Sequence, residues 1–549
     1  MILTSEERAK QHVASGAWNH VTLYQMFKRT VASRRNEIAF EDIGPSAIPG
    51  LSSRLTFTDA ERRVDGLAAF FAGIGLKADM VIGIHLPPCV DASVIVLAAM
   101  RAGLVVCPLP VYWSKAEIEA AVEAASIKAI VTASEIEDDP SGEMVRDVAA
   151  ETFAIRFVFA VGAGLPDGLI DLAEVLADVE ALGPPPEIQR RGQAAEHVAL
   201  LSMAKSADDK LLIVPYSHNQ LMAIGVGHLL EGGIAGSDTL LSTMHPASLA
   251  SVGGALATAL LSGSTVAFHH GTSLAGLVEA VEVSAAKRVI LPEAMGPALS
   301  EYVADDIAFS LVGTGLGFTR PEAIRPERAT LDLITLGGLC LIPRARDADG
   351  EAVQLFVGPT RMGRNNDAGP VIYETRVKPR IKAGDRRATL TQGELHLTGA
   401  IIPDAPWPEP HSGKSGAMLA VTSDGYLRTG LQVEVHDERL VILGSLTETI
   451  QVAGTTVSPA RLDELFKRHP QVQDAAVFPI EAGPVGNRLG VAVVPKPGEY
   501  PKLLDILIWL DGEKAGALDR PVSVIAVPEI PRAADGAVLR QALFMQAVA

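Results

Sequence analysis

The sequence predicts a multidomain α/β protein. Helical and strand-like segments alternate between residues 57 and 135, a similar alternation runs from His197 to about Leu341, and a compact mixed block follows Gly444. Strands that alternate with helices are typical of βαβ units and of parallel sheets. A chain of 549 residues is too long for one ordinary domain, so we expect about two to four domains.

The first series begins with TFTDAERRVDGLAAFFAGIG, a helical pattern with an N-cap candidate in Thr58 or Asp59. MVIGIHLP and LVVCPL have the length of buried strands, and DASVIVLAAMRAG between them indicates a helix closed by Gly103. SKAEIEAAVEAAS and IKAIVTA then predict a helix and a strand. The apolar stretch from Val94 is interrupted by Arg101 and is too short to cross a membrane, so we expect it in the core.

Two further regions complete the predicted architecture. Between about Ala352 and Val435 the strands are short and rich in proline and glycine, as in GELHLTG, which indicates a barrel-like antiparallel subdomain. After Gly444, strands such as LGVAVVP mix with helices. We therefore predict a large N-terminal domain over residues 1–443, with two βαβ-type sheet subdomains plus the barrel-like subdomain, and a small α+β domain over residues 444–549.

Composition narrows the possible partners and the compartment. Lys and Arg number 47 against 65 Asp and Glu, a formal net charge of −18. Nucleic acids and anionic membranes need a basic face, so we exclude them as main partners. Cys89, Cys107 and Cys340 are too widely spaced for a metal or disulfide pattern, and the first residues, MILTSEERAK, lack the pattern of a signal peptide. We expect a cytoplasmic protein.

The order of these parts resembles the adenylate-forming superfamily of acyl-CoA synthetases, aryl-CoA ligases and peptide-synthetase adenylation domains. Six segments carry the resemblance over nearly the whole chain: MVIGIHLPPCVDASVIVLAAMRAGLVVCPLPVYW, STMHPASLASVGGALATALLSGSTVAF, GELHLTG, DGYLRTG, TIQVAGTTVSPARLDELFKRHPQVQDAAV and PRAADGAVLRQAL. The resemblance implies a large N-terminal domain, a small rotating C-terminal domain, and activation of a carboxylate by ATP before transfer to a thiol. That chemistry needs cations, Mg²⁺ and backbone N–H groups directed at the phosphates.

The phosphate-loop motif of the family is changed in this chain. The family pattern T-S-G-T-T-G-x-P-K aligns with AKSADDKLL at residues 204–212. Ser206 and Asp209 stand in place of the two glycines that let backbone N–H groups approach phosphate, and Leu212 stands in place of the lysine. Because the adjacent carboxylates of Asp208 and Asp209 would repel an anion, a solvated surface loop is favoured over a phosphate site.

The magnesium and ribose motifs are changed as well. In the family's Y-G-x-T-E pattern, Leu339 replaces the threonine that contacts the adenylate, and Cys340 replaces the glutamate that holds Mg²⁺, a cation that prefers oxygen ligands. In the T-G-D pattern, Leu431 replaces the aspartate that accepts the ribose hydroxyls, and an alkyl group cannot accept them. Cys340 is a buried structural thiol or, with a base partner that the sequence does not identify, a nucleophile.

Two motif positions within the predicted C-terminal domain, where the family has charged residues, complete the set of five losses. Ser445 takes the place of the arginine near the hinge, and Ala537 takes the place of the late catalytic lysine. Loss of one charge-stabilising donor typically costs about 2.7–4 kcal/mol of barrier. Losing several together, even non-additively, would remove most of the adenylation rate. We therefore assign no catalytic residue and no metal ligand.

Some positions of the family's binding cleft are kept. His245 lies where the family has a histidine beside the acyl pocket, although a core histidine is an equally good interpretation. Gly313 and Gly315 match the glycine-rich strand end beside the adenine, where a turn would also explain them. Gly337 and Gly338 lie within the changed magnesium motif. We predict these five residues as substrate-binding.

Three hypotheses follow. The favoured one is a non-adenylating relative that binds an acyl or acyl-thioester ligand, or pairs with an active ligase or acyltransferase, and that uses no cofactor. The second is an active AMP-forming ligase or acyl-transfer enzyme with ATP, Mg²⁺ and coenzyme A, in which Lys205, Lys210 or Lys514 replaces the lost groups. The third is an enzyme of different chemistry acting on a preformed acyl thioester. Fold analogy alone does not decide among them.

Overall fold

The computed structural model describes most of the chain. The described residues are 1–177, 183–206, 210–271, 273–313, 324, 327–346, 355–363, 369–379, 392–408, 417–445, 448–452, 455–482, 486–513, 515–532 and 538–548. Within this part of the chain, no helix is both long enough and apolar enough to cross a membrane.

Helices and strands alternate through the first two thirds of the chain. In order they are α1 Glu6–Ala14, α2 Leu23–Arg34, β1 Ile38–Ile43, β2 Arg54–Thr56, α3 Phe57–Gly73, β3 Val81–Ile84, α4 Val90–Arg101, β4 Val105–Pro108, α5 Lys115–Ala125, β5 Ile127–Ala133, α6 Ser141–Glu151, β6 Phe157–Val161, β7 Ile170–Asp171, α7 Leu172–Ala177, β8 Val198–Lys205, β9 Leu211–Ser217, α8 His218–Gly232, β10 Thr239–Ser242, α9 Ala257–Ser262, β11 Thr265–His269, α10 Leu274–Val283, β12 Arg288–Pro292, α11 Gly296–Ser300, β13 Ala308–Gly313, β14 Thr330–Thr335 and β15 Leu341–Ala345. A π-helical segment, Ala250–Leu256, leads into α9.

The predicted helices form, with one boundary different from the expectation. Helix α3 is capped by Thr56, whose hydroxyl accepts from the Asp59 N–H at 3.1 Å, so the predicted caps Thr58 and Asp59 lie inside the first turn. Helix α4 ends before Gly103, which has the positive φ of 77° expected after a helix end. Residues 90–100 of α4 are all buried, which confirms that this apolar stretch belongs to the core.

Two sheets made largely of parallel strands organise the first unit. Within the described residues, the first sheet has the strand order β7-β6-β5-β3-β4-β8-β9 and the second has the order β15-β14-β13-β12-β10-β11-β1-β2. Parallel pairing runs through β3, β4, β5 and β6 and again through β10 to β14. The predicted α/β class with two βαβ-type sheets is confirmed.

The series that begins at His197 is divided between the two sheets. Strand β8 pairs in parallel with β4 through Leu200 and Val106, so β8 and β9 belong to the first sheet, and β1 pairs with β11 in the second. Local alternation of helices and strands specifies the elements, whereas the choice of sheet depends on pairing between residues far apart in the chain.

The proline- and glycine-rich region forms an antiparallel sheet, as predicted. Its strands are β16 Leu355–Phe356, β17 Gly358–Arg361, β18 Val371–Pro379, β19 Gln392–Thr398, β20 Leu427–His436 and β21 Arg439–Ser445. Across the described residues they follow the order β16-β21-β20-β19-β18-β17. The pairs β16–β21, β17–β18, β18–β19 and β19–β20 are all antiparallel.

The last part of the chain mixes strands and helices. It contains β22 Ile450–Val452, β23 Thr455–Val457, α12 Pro459–Lys467, β24 Val472–Glu481, β25 Asn487–Pro495, α13 Leu503–Gly512, β26 Ser523–Ala526 and α14 Arg540–Val548. Its own core includes Leu462, Phe466, Ile506 and Leu510, each with no exposed surface. The α+β composition predicted for this region is confirmed.

By contacts, the chain divides into two compact units. One consists of Met1–Val111, Ile118–Ala204 and Leu211–Gly444, and the other of Tyr112–Glu117, Lys205–Lys210 and Ser445–Ala549. The domains predicted from the sequence, 1–443 and 444–549, are regions that are expected to fold independently, and a division by contacts does not test independent folding. Those boundaries therefore remain a prediction.

Candidate functional site

The carboxyl ends of parallel strands in the second sheet carry several predicted site residues. His245 follows β10, Gly313 ends β13, and the turn formed by residues 336–340 follows β14. In open α/β sheets, ligands bind in the crevice beyond the carboxyl ends of the strands. This edge is therefore the candidate functional site.

Gly313 is held in close contact with an acidic side chain that the sequence analysis did not find. Thr335 donates a hydrogen bond through its hydroxyl to the carbonyl of Gly313 at 3.1 Å. A Cβ atom built on Gly313 would lie 2.0 Å from Oε2 of Glu293, so a larger residue at this strand end would require the Glu293 side chain to move. Glu293 directly follows β12, and an acid in that place was the signal available in the sequence.

Burial changes the acidity of Glu293. Desolvation raises the pKa of its carboxyl above the ordinary value, the charge of Asp332 raises it further, and Arg346 partly opposes the shift. Asp332 is itself paired with Arg346, with Nη2 and Oδ1 2.9 Å apart. A carboxyl with a raised pKa beside a strand end is able to accept a hydrogen bond from a ligand or to exchange a proton with it.

The turn over residues 336–340 packs against the first sheet. Gly337 and Gly338 have positive φ angles of 61° and 76°, a conformation that favours glycine. A Cβ atom on Gly338 would lie 3.3 Å from the Cβ of Ala204, near the end of β8. The hydroxyl of Tyr216, on β9, donates to the carbonyl of Leu339 at 2.6 Å. The structure therefore brings this turn against the strands that flank the family's phosphate loop.

The residues that the sequence analysis assigns to the phosphate, magnesium and ribose motifs are apolar and buried. Leu212, Leu339 and Leu431 are only 7%, 6% and 3% exposed, and Cys340 is fully buried. All four belong to the main core cluster of the first unit. Burial raises the pKa of the Cys340 thiol to about 12, so the thiol is neutral at physiological pH and is not activated as a nucleophile.

The backbone around two of these positions shows how the chain accommodates them. Leu212 forms a parallel bridge with Ala417. The N–H of Leu431 donates to the hydroxyl of Thr429 at 3.1 Å, and that hydroxyl donates to the carbonyl of Leu395 at 2.7 Å. The hydroxyl of Thr429 is therefore engaged in hydrogen bonds within its own sheet. The side chain of Leu431 is buried in the core.

The predicted loop and three other positions are described only in part. The N–H of Ser206 donates to the carbonyl of Lys210 at 2.9 Å, and the N–H of Lys210 donates to Oγ of Ser206 at 3.1 Å. Asp209, Gly315 and Ala537 lie outside the described residues, and Ser445 is the last residue of β21, without a described side chain.

His245 links the edges of the two sheets. Its Nδ1 accepts a hydrogen bond from the N–H of Ala247 at 3.0 Å, and its Nε2 lies 3.4 Å from the nitrogen of Val111, in the loop after β4. Burial lowers the pKa of His245 to about 3, and the ring is neutral at physiological pH.

The described residues do not fit ATP and Mg²⁺ in the manner of the family motifs. At residues 336–340 and 431 they offer alkyl groups and a neutral thiol, whereas phosphate and ribose need charged or polar partners and Mg²⁺ needs hard oxygen ligands. No cluster of three or more His, Cys, Asp or Glu that could hold a metal ion occurs in the described part of the chain.

Comparison with known proteins identifies the relatives of this chain. Residues 27–199 match the family model described as AMP-binding enzyme. A 2-hydroxy-7-methoxy-5-methyl-1-naphthoate–CoA ligase from Streptomyces carzinostaticus is 22% identical over 98% of this chain and 95% of the relative. A salicyl-AMP ligase / salicyl-S-ArCP synthetase from Mycobacterium tuberculosis is 24% identical over 98% and 93%. The structure of ATP-bound MatB from Rhodopseudomonas palustris is similar with a TM-score of 0.57 and 18% identity over 96% of this chain and 99% of that one.

These relatives correct the expectation about cofactors. The sequence-based expectation that no cofactor is used is wrong, because the matched relatives are a CoA ligase and an AMP ligase and the similar structure is described as ATP-bound. The expectation was drawn only from the replaced motif residues. The family match over residues 27–199, the ligase relatives that align with nearly the whole chain and the shared fold all agree with the resemblance to the adenylate-forming superfamily.

Proposed function

We propose that this protein binds an acyl or aryl carboxylic acid, or its thioester, in a ligase-type site, and that its ATP-dependent activation step is strongly slowed. The relatives that span nearly its whole length are named for a naphthoate and a salicyl group. Both are aromatic carboxylic acids, and this supports an aromatic acid as the first ligand to test.

The observation that carries the proposal is the burial of Leu212, Leu339 and Leu431, at 7%, 6% and 3% exposure. These alkyl groups lie where the resemblance places a lysine, a threonine and an aspartate. Because one missing charge-stabilising donor costs about 2.7–4 kcal/mol of barrier, losing even two would slow adenylation by several orders of magnitude. The increases in barrier need not be additive, but each of the three replacements slows adenylation.

A slow ligase that keeps its ligand site would act as an acyl-binding subunit. Its candidate partner is an active ligase or acyltransferase that receives or supplies the bound acyl group. Co-purification from the native host should then recover such an enzyme with this protein.

Acid-dependent exchange of pyrophosphate into ATP measures the activation step directly. We expect background exchange with a panel that includes salicylate and hydroxynaphthoates. Calorimetry with the same acids should still detect binding of at least one of them. Exchange at the rate of an ordinary ligase would contradict the proposed slowing, and absence of any acid or thioester binding would contradict the proposed ligand site.

A full-rate ligase with non-standard groups is the second candidate, and Lys205 and Lys210 favour it. Both lysines are exposed, and the hydrogen bonds between Ser206 and Lys210 keep the two cations close together on the chain, as binding to a polyphosphate would require. In this case acid-dependent exchange should be strong in the unaltered protein and should fall in Lys205→Ala and Lys210→Ala. Lys287→Ala, at an exposed lysine on the first unit paired with Asp306, is the matched control.

A further inference from the structure

Glu293 places a carboxylate at the candidate site that the fold leaves without a hydrogen-bond donor. It directly follows Pro292, the last residue of β12, and Pro292 pairs in parallel with Val312, the residue before Gly313. Its side chain is only partly buried. Among the residues that the structure describes, no group donates a hydrogen bond to its oxygens. An acceptor that is partly withdrawn from water gains by meeting a donor from outside the protein.

The neighbouring strand end leaves room for this carboxylate. A Cβ atom built on Gly313 would lie 2.0 Å from Oε2 of Glu293 and 3.0 Å from its carboxyl carbon, closer than atoms that are not bonded to each other can approach without strain. Gly313 is itself fixed at the end of β13, because the hydroxyl of Thr335 donates to its carbonyl. The carboxylate therefore lies against the carboxyl end of β13, at the edge of the sheet where ligands of open α/β folds bind.

The charges around Glu293 do not supply that donor. Nε and Nη2 of Arg346 donate to Oδ1 of Asp332 at 3.2 and 2.9 Å, so Arg346 acts on Glu293 only through its charge. Asp332 adds a negative charge that repels the Glu293 carboxylate. Negative charge at this end of the site should attract a hydrogen-bond donor or a cation and should repel a second carboxylate.

We propose that Glu293 determines which acids this protein binds, because its carboxylate accepts a hydrogen bond from a hydroxyl or ammonium group of the ligand and repels the carboxylate of the ligand from this end of the site. The favoured ligand is then an aromatic acid that carries a donor group as a substituent of its ring. This inference rests on the proposed function, since it concerns the ligand of the same site. An acid without a donor, such as benzoate, binds less tightly because it leaves the Glu293 carboxylate unpaired.

Calorimetry of the full-length chain with matched benzoates tests this specificity. The panel is benzoate, the monohydroxybenzoates, which carry a neutral donor, and the aminomethylbenzoates, which carry a cationic one. At least one donor-bearing acid should bind roughly tenfold or more tightly than benzoate. A preference for the hydroxy acids would identify a neutral donor as the partner of Glu293, and a preference for the aminomethyl acids would identify a cation. Either result supports the proposal.

Two variants assign the preference to Glu293. Glu293→Gln keeps the size of the side chain but removes its charge, and Gly313→Ala forces the carboxylate to move. Each should reduce the preference for donor-bearing acids several-fold, and the double variant should lose little more, because both changes act on the same contact. Glu282→Gln, at an exposed glutamate on α10, is the matched control and should keep the full preference.

The results separate this inference from the proposed function. Donor-bearing acids that bind no more tightly than benzoate, or a preference that persists in both variants, would overturn the role of Glu293 and leave the proposed ligand site intact. If no acid of this panel and no hydroxynaphthoate binds the unaltered protein, the proposed ligand site fails and this inference fails with it. Thermal unfolding close to that of the unaltered protein confirms that the variants are folded.

Discussion

Asp42 shows how one residue in this fold makes stability depend on pH. It lies on β1, and its two carboxylate oxygens accept hydrogen bonds from the N–H groups of Val90 and Ser53, both at 2.8 Å. Val90 is the first residue of α4, so Asp42 completes the start of that buried helix from another element. Burial raises the pKa of Asp42 from 3.8 to about 6, a larger effect than the two hydrogen bonds that lower it, and the charge of Asp91 raises it further.

The raised pKa predicts the sign of the pH dependence. The folded protein holds this proton more tightly than the unfolded chain does, so the contribution of Asp42 to stability is present below about pH 4 and is lost as pH rises through about 6. The variant Asp42→Asn lacks this titration. Between pH 4 and pH 7, its free energy of unfolding should therefore improve relative to the unaltered protein by on the order of 2 kcal/mol.

Urea unfolding at several pH values measures this difference. Asp167→Asn, at an exposed aspartate, serves as the control, and its difference from the unaltered protein should stay constant. A constant difference for Asp42→Asn as well would show that Asp42 ionises alike in the folded and unfolded states, and the explanation would fail.

At the scale of elements, a buried arginine joins helix α14 to the rest of the second unit. Arg540, 8% exposed, donates to the carbonyl of Val477 on β24 at 2.6 Å and to Oδ2 of Asp463 on α12 at 2.8 Å. Its Nε also donates to Oε1 of Glu448, ahead of β22, at 2.7 Å. One guanidinium therefore joins four separate segments of the second unit.

Removing this arginine should destabilise the second unit. Arg540→Met keeps an apolar side chain of similar length but leaves the carboxylate of Asp463, whose side chain is 8% exposed, buried without its cation. We expect a loss of about 3–5 kcal/mol in the free energy of unfolding measured with urea.

Two further variants separate the causes. Glu448→Gln should cost at most about 1 kcal/mol, because the Glu448 side chain is 49% exposed and exposed ion pairs contribute little. The double variant Arg540→Met, Asp463→Leu should recover part of the loss, since it removes the unpaired buried charge. A single variant Arg540→Met as stable as the unaltered protein would contradict this account of α14.

Elements also show what the sequence could and could not predict. The apolar pattern predicted α4 and Gly103 predicted its end, because both signals are local. The sequence pattern predicts the N-cap of α3 at Thr58 or Asp59, two or three residues after the actual cap Thr56, since all three residues are good caps. The membership of β8 in the first sheet depends on its pairing with β4, which no local pattern contains.

At the scale of the whole molecule, the order of motifs located the candidate site but not its contacts. Motif spacing led to Leu339, Cys340 and Leu431. It did not predict that Tyr216 would hold the carbonyl of Leu339, or that Glu293 would lie against Gly313. Such contacts arise where strands distant in sequence end side by side. The expectation that no cofactor is used failed because the replaced motif residues describe only the local chemistry at their positions. The names of the relatives describe the reactions that those proteins catalyse.

The two-unit organisation makes a last prediction about independent folding. Residues 445–549 hold most of the second unit, with a core that includes Leu462, Phe466 and Leu510, and their length is that of an ordinary domain. Expressed alone, this fragment should unfold in one cooperative urea transition and give a dispersed amide NMR spectrum. A fragment of residues 445–538 lacks α14 and Arg540, so Asp463 loses its buried partner, and it should show neither property. A longer fragment that proves unfolded would place the true domain boundary elsewhere, because a region with its own core and buried ion pairs should not need the preceding residues to fold.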